Sequence, residues 1–255
     1  GALVLLPFAL RRGWRGPRAL PRDGWRLVVA VSVLVGACSG FGALLQTFGL
    51  RTTTTSNSAF ITSLFVVFTP IIEAVVYRRW PRLGIVGAVA VSLLGLWLLT
   101  GASTSVGAGD LLTLASAALY GAWYVAIGEY THRMDIVAFT CTQLVVAALI
   151  MVPFALTTGF GRIDGYVVGT VLFTGIACTA VAFALTSWAQ RLVDPSRTTI
   201  ISLVEPVVAG IVGYFVGERL GIGGYVGAVL IVVAILIAER GTHPGREAAP
   251  DPGAG

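Results

Sequence analysis

Of the 255 residues, 56% are hydrophobic and only 11% are charged, and the mean hydropathy is +0.88. A soluble domain carries about 25% charged residues, so this chain cannot cover a water-facing surface, and the lipid bilayer is its expected solvent. All 17 basic residues are arginine, a bias that a GC-rich genome explains; they lie between apolar runs, where topology determinants belong, which argues against a nucleic-acid partner.

Taken in chain order, residues 1–10, "GALVLLPFAL", read as the end of one span, entered in mid-apolar sequence without a methionine. A basic stretch, "RRGWRGPRALPRDGWR", follows. Eight runs then have the roughly 20 apolar residues that crossing the hydrocarbon core requires. They are 27–50, 52–76, 83–101, 110–131, 136–157, 165–190, 196–217 and 220–238. Their length, and the absence of strict alternation, predict helices and not a barrel. The tail, residues 239–255, is rich in Pro, Gly and Ala and is expected to be disordered.

Alternating the spans across the membrane puts Arg11, Arg12, Arg15, Arg18, Arg22, Arg26, Arg78, Arg79, Arg82, Arg133, Arg191, Arg197, Arg240 and Arg246 on one side. Arg51, Arg162 and Arg219 fall on the other, so 14 of the 17 arginines share a side. The positive-inside rule predicts that this side, with the C-terminal tail, is cytoplasmic, in an inner or plasma membrane.

Two segments repeat. "VFTPIIEAVVYRRWPRLGIVGAV" (67–89) matches "LVEPVVAGIVGYFVGERLGIGGYVGAV" (203–229) across a short gap. Each is an apolar helix with one proline, a polar turn, and a helix containing "VGAV". The Pro70 and Pro206 helices run in opposite directions, as in inverted-repeat transporters, whose sites lie near the midplane at interrupted helices.

The run "GLRTTTTSNSAFITSLFVVFTP" (49–70), the helix "GDLLTLASAALYGAWYVAIGEY" (109–130) and "SLVEPVVAGIVGYFVGERLGIGGYVGAVLIVVAIL" (202–236) resemble, in order and spacing, EamA-type members of the drug/metabolite transporter superfamily. The resemblance implies an all-α polytopic membrane protein of ten helices in two inverted five-helix repeats, with a central cavity for a small organic metabolite. Mapped here, residues 1–101 correspond to the first repeat without its first helix and most of its second. Residues 109–238 correspond to the second repeat. About nine helices are then present, the first partial, and the sequence is expected to be a fragment of a longer permease or exporter.

Candidate site residues follow from helix faces, since positions three, four and seven apart share one. Thr198, Ser202 and Glu205 form one stripe, leading to the break expected at Pro206. Ser58, Thr62 and Thr69, with Glu73, form the matching stripe of the first half. Ser116, Tyr120 and Trp123 share a face of the 110–131 helix, with Tyr124 beside them, and suit a cavity wall. Each has a plainer reading. The hydroxyls can satisfy carbonyls one turn back or join helices, and the aromatics can pack a core. Glu205 either serves substrate or proton, as an intramembrane acid does by default, or belongs to the helix break. Glu73, nearer the arginines, is expected to snorkel or pair with Arg78. Trp188 and Gln190 are expected at the membrane interface.

Cys38, Cys141 and Cys178 fall in apolar runs and read as small buried hydrophobes. With only two histidines and these cysteines, no metal site and no cofactor is expected. "GAGD" (107–110) matches an element of intramembrane aspartyl proteases, but its aspartate is expected to cap a helix, and no second aspartate completes a dyad. No catalytic residue is therefore assigned. The expected partners are a small-molecule solute and the bilayer, and the sequence leaves oligomeric state open. The rival reading is an integral-membrane enzyme acting on a lipid-linked substrate, which should gather polar groups at one membrane face. Here they are spread over both halves.

Overall fold

A computed structural model describes residues 1–12, 24–101, 107–133, 135–158, 164–216 and 221–240. The apolar runs become helices, and among the described residues there is no strand. In order these are α1 (Ala2–Arg12), α2 (Gly24–Gly49), α3 (Thr55–Ser63), α4 (Phe65–Tyr77), α5 (Leu83–Thr100), α6 (Ala108–Tyr130), α7 (Ile136–Thr158), α8 (Gly165–Phe173), α9 (Ala182–Ala189), α10 (Pro195–Ser202), α11 (Val204–Val216) and α12 (Ile222–Arg240). A π-helical segment, Thr174–Val181, joins α8 to α9, and the Thr179 hydroxyl bonds the Thr174 carbonyl five residues back. Seven of the described helical segments are long and apolar enough to cross a membrane, counting α3 with α4 and α8 with α9. The protein is an all-α polytopic membrane protein. The tail beyond Arg240, most of the basic stretch before α2, and Gly217–Leu220 lie outside the described residues.

Polar residues at the run ends fix where helices begin. Thr54 accepts from the Asn57 N–H at the start of α3, and Asp164 from the Val167 N–H at the start of α8. Asp135 accepts from Val137 and Ala138 N–H groups ahead of α7. Each carboxylate or hydroxyl satisfies a donor that has no partner within its helix. At the other ends, α4 stops at Arg78 and α5 at Gly101, both left-handed (φ 53° and 59°). That conformation suits glycine and strains arginine.

α6 is the hub, touching α2, α3, α4 and α10, while α2 also packs on α7 and α5 on α12. Two apolar cores result. One joins α4, α5, α10 and α12 around Val66, Leu96, Ile200, Leu203 and Ile231. The other joins α2, α6 and α7 around Val35, Trp123, Ile127 and Phe139. Phe65 packs against both, so the seam between them passes beside it. The outward faces stay apolar, with residues such as Leu83, Tyr166, Phe215 and Ile222 almost fully exposed, as contact with lipid tails requires.

Close helix approach depends on missing side chains. At the α5–α12 crossing a Cβ on Gly227 would stand 2.4 Å from the Gly95 carbonyl oxygen and 2.5 Å from the Leu99 nitrogen. Both obstacles are backbone, so neither can yield by a rotamer change. Gly227→Val is expected to lower stability by about 3 kcal/mol or more, at the upper end of overpacking costs. Gly87→Ala, where a Cβ meets nothing within 4 Å, should leave it unchanged or improved. Thermal unfolding of the two variants in detergent compares them.

The helix breaks are not where the prolines suggested. α3 gives way to α4 at Leu64, and α10 to α11 at Leu203; both leucines close with a 3₁₀-type bond (Leu64 N–H to Ile61 O, Leu203 N–H to Ile200 O, each 3.1 Å). Pro206 sits in the first turn of α11, where its missing N–H would have no helical partner in any case. Pro70 lies inside α4, six residues past its break, against three for Pro206. The paired breaks are real, but the two prolines are not equivalent positions. Cys38 and Cys141 are buried as expected, whereas Cys178 is exposed on the π-helical segment. Gln190, expected at the interface, is instead buried beside Gly128, and Trp188 is exposed.

Candidate solute site between the helix breaks

Two polar clusters flank the seam, each ending a half-helix. Toward the start of α6, Gln46 of α2 donates its Nε2 hydrogen to the Thr62 hydroxyl at 3.0 Å, and the Tyr120 hydroxyl reaches the Gln46 Oε1 at 3.4 Å. Toward the end of α6, the Tyr124 hydroxyl donates to the Ser202 Oγ at 3.0 Å, and Ser202 donates on to the Thr198 carbonyl at 2.9 Å. Thr62 stands two residues before the Leu64 break and Ser202 one residue before the Leu203 break. Tyr120 and Tyr124 are one turn apart on α6, so a single helix presents a phenol to each broken helix. Gln46, Thr62, Tyr120 and Ser202 are all half-buried.

The remaining sequence candidates divide. Ser116 is fully buried one turn before Tyr120, and Ser58 is buried with a hydroxyl that meets no hydrogen-bond partner among the described residues. Thr69 and Thr198 are buried and bond the Phe65 and Asp194 carbonyls one turn back, the plainer reading of such hydroxyls. Trp123 is turned away from the seam. It is 4% exposed, stacked near Phe183 (4.9 Å) and Tyr124 (4.9 Å), and its indole N–H donates to Gln143 Oε1 at 2.9 Å. Tyr124, not Trp123, carries the polar contact to α10. Glu205 is exposed just past the Leu203 break.

Trp123→Phe would remove the indole donor and leave the wholly buried Gln143 without it. Stranding a buried polar group costs about 1–3 kcal/mol, so thermal unfolding should show that loss for Trp123→Phe and a smaller one for Tyr120→Phe.

Three positions escaped the sequence reading. Gln46 is the lone amide of its span and Gln143 of its own; an amide in hydrocarbon was itself a signal, since it must find a partner. The third is the role of Glu73. Expected beside Arg78, it instead accepts from Ser196 N–H at 3.1 Å and from the Ser196 hydroxyl. Asp110 proves to be three residues inside its helix: it accepts from Gly107 N–H at 2.8 Å and from the Thr53 hydroxyl.

A bundle of membrane-spanning helices, with a central helix facing two interrupted ones, is the architecture of a polytopic transport protein. The EamA-like transporter family model matches residues 1–101 and again 107–239, and the chain belongs to that family. A protein of Archaeoglobus fulgidus named an uncharacterized transporter is 32% identical over 239 residues, spanning 93% of this chain and 72% of its own length. A second from the same organism, similarly named, is 27% identical over 241 residues, 94% of this chain and 83% of its own. A solved crystal structure shares the fold with a TM-score of 0.75 at 18% identity, covering 93% of this chain and 82% of that one. The chain is a membrane transporter of this family.

Proposed function

We propose that this transporter moves a small organic metabolite or drug-like solute, by a secondary mechanism, and that the solute binds at the seam between Tyr120 and Tyr124 and the two helix breaks. One observation carries the reading: polar side chains from α2, α3, α6 and α10 converge at the ends of half-helices in an otherwise apolar bundle. Hydroxyl, phenol and amide groups kept half-exposed there offer donors and acceptors that a solute can take over. Glu205 would supply the negative charge, to a cationic group of the solute or to a proton. The even spread of these groups over both halves favours a transporter over an enzyme working at one membrane face.

The two matched regions are read as inverted repeats, with α3–α4 and α10–α11 as corresponding elements, because each breaks at a leucine directly after a hydroxyl-bearing segment. The arginine asymmetry supports placing the end of the bundle that carries Arg78 and Arg191, together with the C-terminus, in the cytoplasm. A single cysteine at Gly16 or Gly253, in protein whose three natural cysteines are replaced, should resist impermeant thiol reagents in intact cells and react once the cells are opened. Labelling of both positions from outside would reverse the orientation. The solute itself is tested by flux of a metabolite panel in liposomes.

A further inference from the structure

Where α4 and α6 end and α10 begins, one carboxylate ties the first matched region to the second. Asp194 holds the N-cap position of α10 but makes no side-chain capping bond, and Pro195 follows it without an N–H. Ser196 therefore presents the first free donor of the helix. Glu73, in α4, takes both that N–H and the Ser196 hydroxyl, so the cap of α10 comes from the other half of the protein. The same end is drawn together at two more points. Tyr77 of α4 donates to Glu129 of α6 at 3.0 Å, and Gly128 of α6 lets Pro195 approach so closely that a Cβ there would lie 2.4 Å from its ring.

The opposite end is joined differently. α6 runs for 23 residues, about 34 Å at 1.5 Å per residue, and its start meets Gly49 and Thr53. There Gly109 lies against the Gly49 backbone, and a Cβ on it would be 2.5 Å from the Gly49 oxygen. That closure is backbone on backbone, and a buried carboxylate, Asp110, adds a bond from the Thr53 hydroxyl. The Glu73 carboxylate that meets Ser196 is only half-buried.

We propose that the Glu73–Ser196 contact is a latch closing the arginine-bearing end of the solute path. Its release lets the start of α10 swing from α4 and opens Ser202 and Tyr124 to that side. Ser202 lies six residues beyond Ser196, about 9 Å deeper along α10. The proposal rests on the transporter reading, since only a transporter needs an end that opens, but its test does not depend on measuring transport.

In protein lacking its natural cysteines, a reporter is placed as Ser202→Cys or, separately, as Thr62→Cys near the other break. Each is exposed to an impermeant maleimide in sealed vesicles of both orientations, with Glu73 intact or changed to Ala. From the arginine-bearing side, Glu73→Ala should speed labelling of the Ser202→Cys reporter at least fivefold and leave the Thr62→Cys reporter unchanged. Equal rates at Ser202→Cys would overturn the latch, and so would equal acceleration of both reporters, which marks general loosening. If Glu73→Ala does not reach the membrane, Glu73→Gln and Ser196→Ala carry the same comparison, each weakening the contact while keeping part of it. There too, unchanged rates overturn the proposal. A protein that moves no solute in any assay, yet shows the reporter difference, would contradict the transport reading and leave the latch standing.

Discussion

Gln46→Leu should reduce solute flux about tenfold or more while the protein reaches the membrane at its normal level. The side chain links α2 to the Thr62–Tyr120 cluster, donating to Thr62 and accepting from Tyr120. Leucine has nearly the same volume, so packing is preserved. What goes is two hydrogen bonds, each worth about 1 kcal/mol net, and a half-exposed amide able to engage the solute. A tenfold change corresponds to about 1.4 kcal/mol, within what those losses supply. Initial uptake rates in vesicles, normalised to the amount of protein, measure it. Flux within twofold of the unaltered protein would remove Gln46 from the site and leave it as helix-joining glue.

The second large effect is expected at Glu205. It stands exposed one residue beyond Val204, at the start of α11, three residues after Ser202. Glu205→Gln keeps the size and the capacity to hydrogen-bond while deleting the charge. If the carboxylate binds a cationic group of the solute, the variant should lose most of its flux. If Glu205 only accompanies the break, glutamine serves as well. Unaltered flux from Glu205→Gln would take charge recognition out of the account. Pro206 gives no help to the structural alternative, because the break is already complete at Leu203 before the proline is reached.

The spans were legible because the bilayer dictates them: a run of about 20 apolar residues has few other uses, and all eight runs became helical to within a few residues. Their ends are set by local chemistry at Thr54, Asp135 and Asp164, polar residues that the reading of apolar runs did not single out. The breaks were harder. They fall at Leu64 and Leu203, two leucines with no signature, while the prolines that drew notice are accommodated in α4 and in the first turn of α11. Which face of each helix meets which neighbour was hardest. In water a polar face points out, but here the lipid-facing and core-facing sides are both apolar, so periodicity does not distinguish them. Hence Trp123 and Tyr124, adjacent and 100° apart on α6, were grouped together, although Trp123 bonds Gln143 of α7 and Tyr124 bonds Ser202 of α10. Hence also Glu73, whose partner Ser196 is 123 residues away, was assigned to an arginine near it in sequence.

The measurement that bears most directly on the account is flux itself. The protein, reconstituted into liposomes at known orientation, is offered a panel of radiolabelled metabolites and drug-like cations, with protein-free and Gln46→Leu liposomes beside it. At least one small organic solute should accumulate or leave at a saturable rate well above protein-free liposomes, and Gln46→Leu should bring that rate down about tenfold, the equivalent of the lost contacts. No flux of any solute from folded, correctly inserted protein, accompanied by turnover of a lipid-linked substrate added to the same liposomes, would contradict the transport reading and favour a membrane enzyme.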